Sequence, residues 1–120
     1  TYPERFVSVA VHSSSLGVGH FYGWGDDEFG REFRRVLGRD PVGGPNDLWA
    51  LAERVEPRPK LRIDCGVDDF TLPANRAFHE HLTAIGYQHE YAEFPGDHTW
   101  DYWEAHLPEA LAFHRKNVGF

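Results

Sequence analysis

The chain contains no methionine, a single cysteine (Cys65) and no apolar run of membrane-spanning length. A lone cysteine rules out an internal disulfide and says nothing of the redox compartment. Without a long apolar run no membrane partner is expected, and no signal peptide is visible at the start. The compartment stays open, with the cytoplasm favoured. Positive charge is short as well. Twelve Lys and Arg stand against nineteen Asp and Glu, and the net charge of −7 would repel nucleic acid and anionic lipid. Neither is expected as a partner. The missing methionine, with a strand-like run starting directly after Thr1-Tyr2-Pro3, leads us to expect a piece cut from something longer.

What is present suffices for one small folded unit. Of the 120 residues 41% are hydrophobic and 15% aromatic, too many for a disordered tail. No internal repeat or low-complexity segment interrupts them. Residues 6–11 (Phe-Val-Ser-Val-Ala-Val) form a nearly continuous apolar and β-branched run, which predicts a strand covered on both faces. A Ser/Gly-rich loop carrying Phe21, Tyr22 and Trp24 follows. Its Gly17-Val18-Gly19 has the next glycine one place late and acidic residues after it, so these glycines are turn formers and not a nucleotide fingerprint.

Phe29, Phe33, Val36 and Leu37 recur at helical spacing up to Gly38. A second helix starts from Asn46 or Asp47 as cap and carries Leu48, Leu51, Ala52 and Val55 in one stripe. Residues 60–66 read as a strand with Leu61, Ile63 and Cys65 on one face. Arg62 and Asp64 on the other make it more polar than a covered parallel strand should be, and a cross-strand pair is the explanation the sequence offers. Residues 73–85 form an amphipathic helix closed by Gly86. A third strand spans 87–94, and a last helix carries Trp103, Leu107, Ala110 and Leu111, with Pro108 expected to bend or divide it. Strands alternating with helices predict an α/β fold with a parallel sheet and right-handed crossovers.

Parallel strands deliver their following loops to one carboxyl edge, where ligands bind. Asp68 and Asp69 follow the second strand and His98 the third. As neighbours these strands would lie about 4.8 Å apart. A carboxylate and an imidazole would then meet, as in the half of a nucleophilic triad that orients the histidine. Helix capping is the competing use for one of the two aspartates. Other histidines offer less: His79-Glu80-His81 is no zinc motif, because residues two apart on a helix diverge. His89, His106 and His114 are scattered and expected at the surface. No metal site and no cofactor are expected.

Three stretches together carry a resemblance: residues 61–70 with Gly66-x-x-Asp69, Asn75-Arg76-Ala77-Phe78-His79, and residues 94–103 with Gly96-x-His98-x-Trp100. They resemble the C-terminal half of the putative esterase (esterase D-like) family of α/β-hydrolases, which includes S-formylglutathione hydrolases, tributyrin esterases and enterochelin esterases. Pro3-Glu4-Arg5-Phe6 is similar to the segment after that family's nucleophile helix. The resemblance implies that residues 1–120 are a single partial α/β-hydrolase domain. It implies Asp69 as triad acid, His98 as general base, Asp68 as a non-catalytic neighbour, and Trp100 as a substrate-binding residue. Trp103 is expected to pack the last helix. The family's Gly-x-Ser-x-Gly elbow has no match here: Ser15-Leu16-Gly17 keeps only the trailing glycine, has Ser13 in place of the leading one, and follows the wrong strand. The implied whole is a serine carboxylesterase acting on small esters or thioesters. Its alternatives are an acyltransferase with the same triad and a non-catalytic fragment or binding module. The implied partner is the missing N-terminal half or a second copy of the chain.

Overall fold

The computed structural model describes residues 2–20 and 25–119. The loop aromatics Phe21, Tyr22 and Trp24 lie outside the described residues. The strands β1 (Ser8–His12), β2 (Lys60–Gly66) and β3 (His89–Phe94) form one sheet in that order, both pairings parallel. Helices α1 (Glu28–Leu37) and α2 (Leu48–Arg54) cross from β1 to β2, α3 (Leu72–Ala84) from β2 to β3, and α4 (Trp100–Val118) follows.

The two faces of the sheet are built differently. On one, Ile63 and Phe78 pack with Leu16, Ala52, Leu82 and Tyr87 into the apolar core, with Val11, Leu61 and Tyr91 around it. Helices α3 and α2 cover this side. On the other, α4 lies across β1 and β2 and buries Tyr102, Ala110 and Phe113. Here the polar face of β2 finds its partners. Asp64, fully buried, accepts from Tyr102 Oη at 3.0 Å and pairs with His12 Nδ1 at 2.8 Å. Arg62 lies 3.5 Å from both Asp64 and Glu90. His12 faces Asp64 and Arg62 faces Glu90 across the ladder, so cross-strand pairing accounts for the polarity.

Several boundaries differ from the sequence reading. The first strand begins at Ser8, two residues late, because Pro3–Arg5 form a 3₁₀ turn; Phe6 and Val7 precede the strand and are exposed. Helix α4 runs through Pro108 as one helix. Proline removes only one ladder bond, and residues buried before and after it, Tyr102 on one side and Ala110 and Phe113 on the other, hold both halves to the sheet. Asp47 is the cap of α2, accepting from Trp49 N. His89, His106 and His114 are half-buried, each with its ring against another element. His89 lies 2.7 Å from His79, His106 stacks on Phe94 at 4.1 Å, and His114 lies 2.8 Å from Ser8 Oγ. The apolar side of α1 points outward, with Phe29 67% exposed.

Candidate active site

The loops after β2 and β3 are stitched together by their backbones. Val67 N donates to Phe94 O and Asp68 N to Gly96 O, both at 2.9 Å. That approach requires glycine at two places. A Cβ on Gly66 would fall on the Gly96 carbonyl, and Gly96 itself has φ 139° with the Tyr102 ring 2.7 Å from where its Cβ would be. Only glycine combines that backbone with so little space.

This stitching brings Asp69 to His98. His98 Nδ1 lies 2.9 Å from Asp69 Oδ2 and 3.2 Å from Oδ1, inside the reach of a hydrogen bond. The ring pairs with neither Asp64 nor Asp97; Asp97 instead accepts from the His98 backbone N–H at 2.6 Å. Asp68 is exposed and its side chain takes no part. The Asp69 side chain is 0% exposed and that of His98 about one third. An oriented imidazole with one nitrogen tied to a buried carboxylate can accept a proton at the other.

Asp69 also accepts from the backbone N–H of Thr71 at 2.8 Å and from its hydroxyl at 2.7 Å. Burial pushes the carboxyl pKa up. The bonds from the Thr71 N–H and hydroxyl, the neighbouring Ser13 hydroxyl and the His98 bond outweigh it and leave the pKa below its ordinary value. The acid is held ionised. One side chain thus closes the turn before α3 and orients the histidine; the cap position of α3 is Thr71, with no side-chain cap bond, so the helix capping expected of one aspartate is not found.

Aromatic rings flank the pair. Phe70 lies 4.8 Å from His98 between ring centres and Trp103 lies edge-on at 5.1 Å. Trp100 stands edge-on to Trp103 at 4.9 Å and is 81% exposed. It therefore sits one ring removed from His98, open to solvent. Phe70 had no role in the sequence reading. Its signal was an aromatic directly after the acid, on a loop rather than in a helix stripe. Thr71 was missed too, although its spacing two residues after Asp69 is that of an Asx turn.

Residues 1–114 match the family described as Putative esterase. The chain belongs to this esterase family. An acetyl esterase from Caldicellulosiruptor saccharolyticus is 29% identical over 126 residues, covering 96% of this chain and 47% of the relative. A ferulic acid esterase structure superposes with a TM-score of 0.69 at 24% identity, over 93% of this chain and 45% of that one. An S-formylglutathione hydrolase from Staphylococcus aureus gives 0.68 at 24%, over 90% and 44%. These structures establish the α/β fold, that of the α/β-hydrolase esterases. The chain spans about half the length of the relatives it matches.

Within the esterase frame the remaining polar pairs read as structural. His12 and Asp64 resemble the site pair in type, but Asp64 lies under α4 with Tyr102 on the same oxygen. His20 joins the capping Asp47 and stacks on Trp49. Among the described residues no group of three His, Cys, Asp or Glu could hold a metal ion. No helix among them is long and apolar enough to cross a membrane.

Proposed function

We propose that this chain supplies the acid and the histidine of a Ser-His-Asp triad in a carboxylic ester hydrolase. The observation that carries the reading is the His98–Asp69 pair, with a buried ionised carboxylate on Nδ1. Membership of the esterase family supports the ester class. Asp69 fixes the tautomer with the proton on Nδ1, which frees Nε2 to take the proton of a serine. The serine attacks the ester or thioester carbonyl, the imidazolium is stabilised by Asp69, and His98 returns the proton to the leaving group. Water then releases the acyl group; an alcohol in its place would make the enzyme an acyltransferase. The serine itself belongs to a Gly-x-Ser-x-Gly segment that these 120 residues lack. Trp100, exposed beside the pair, is the residue we assign to substrate contact.

The test is steady-state hydrolysis of p-nitrophenyl esters by the full-length protein. Asp69→Asn should lower turnover by ~10⁴-fold, the scale of that change in a serine-protease triad. His98→Ala should cost at least as much, and Asp68→Asn little. Comparable losses at Asp68 and Asp69 would remove the assignment of the acid. Unchanged activity in both the Asp69 and His98 variants would overturn the triad reading, and no activity in the wild type would leave a non-catalytic module.

A further inference from the structure

Ser13 is the first residue after β1. It is only 4% exposed and holds a φ of 48°, the one non-glycine with positive φ among the described residues. That conformation is costly for a residue with a Cβ, so something holds it. Its N–H donates to Asp64 O at 2.8 Å, which extends the β1–β2 ladder by one bond. The next carbonyl, Ser14 O, accepts from Asn75 Nδ2 at 2.9 Å; Asn75 is fully buried and bonds Thr71 O with the same nitrogen. The turn is therefore tied to β2 and to the start of α3.

Held in this way, the Ser13 hydroxyl faces the Asp69 carboxylate, with the Cys65 thiol beside it. It is buried and, as placed, aligned for no hydrogen bond. A buried hydroxyl without a partner is unfavourable. Asp69 has a complementary vacancy. Its Oδ1 takes both Thr71 donors, its Oδ2 takes His98 at 2.9 Å, and its side chain is shut off from solvent. A carboxylate accepts about four bonds, so Oδ2 has room for one more. Thr71 Oγ1 is 3.5 Å from Cys65 Sγ, which gives the thiol its own acceptor.

We infer that Ser13 is a positioning residue of the triad: its hydroxyl donates to Asp69 Oδ2 and holds the carboxylate turned toward His98. The role is distinct from that of a nucleophile, since the hydroxyl is buried behind the acid. The inference rests on the triad reading above.

The experiment compares Ser13→Ala and Ser13→Gly in the full-length protein, with Asp69→Asn and His98→Ala alongside, on a p-nitrophenyl ester. Loss of one bond to a charged group should lower kcat about 10- to 100-fold, with KM unchanged. Glycine separates this role from a backbone one, since it relieves the positive φ while removing the hydroxyl. Ser13→Gly as impaired as Ser13→Ala supports the inference. Ser13→Gly with wild-type kcat, or a rise in KM alone, overturns it, and Ser13→Gly stands in if the alanine variant fails to fold. Activity retained in Asp69→Asn and His98→Ala would instead overturn the triad reading, and this inference with it.

Discussion

Residue Glu93 on β3 shows how a charge pair near the site behaves. Its carboxylate takes two bonds from Arg76 on α3, at 2.6 and 2.9 Å, and one from Tyr91 Oη at 2.8 Å. The Arg76 bonds chiefly, then Tyr91, against the opposing effect of burial, hold its pKa at about 2 instead of 4.5. A depressed carboxylate contributes stability above its unfolded pKa and loses it as pH falls through the folded one. Wild type should therefore lose stability between about pH 4.5 and 2, and Glu93→Gln should lose less over that window. Urea midpoints at stepped pH check this. Parallel curves for the two proteins would show that the pair contributes nothing to acid stability.

At the scale of elements, the site depends on how closely the β2 and β3 loops approach. Gly66→Ala places a methyl on a backbone carbonyl, which cannot swing aside as a side chain could. The two loops must separate. Overpacking of this kind costs about 1–3 kcal/mol, and a 1 Å displacement of His98 from Asp69 lowers turnover about 10²-fold. Urea denaturation and ester hydrolysis would measure both; a variant of normal activity would mean that the loops do not set the pair's geometry. Tyr102→Phe tests the other face. It removes the hydroxyl donor to the fully buried Asp64 and should cost about 1–3 kcal/mol while leaving the site pair intact. Loss of activity without loss of stability in that variant would contradict a structural role for Asp64.

As a whole molecule the described chain is open on one side. β1 ends the sheet, and its outer edge is unpaired among the described residues. Beside it runs an apolar groove of about 610 Å³ lined by Phe6, Val9, Val11, Leu51 and Val55 among others. Fully burying apolar side chains of this size is worth about 1.5–3 kcal/mol each, against a stability of only 5–15 kcal/mol for a typical domain. Exposed apolar edges associate. The purified 120-residue chain should accordingly self-associate in light scattering and show no triad-dependent esterase activity. A stable, dispersed monomer of the isolated chain would refute the idea that this edge requires a partner.

The alternation of strand and helix, the direction of the sheet and the helix at 73–85 were legible in the sequence because they rest on local periodicity and on turn residues. The same holds for Asp68, Asp69 and His98 as candidates, since loops after parallel strands must share an edge; the choice of Asp69 between the two came from the family resemblance. Three things were decided only by tertiary structure. The continuity of α4 through Pro108 depends on packing on both sides of it, which outweighs one missing bond. The polar face of β2 is stable because His12 and Tyr102 arrive from elements far away in sequence. Which oxygen of Asp69 serves Thr71 and which serves His98, and why Ser13 stands behind them, follows from loops held together by Gly66, Gly96 and Asn75. No period or spacing in a sequence records a contact between separate loops.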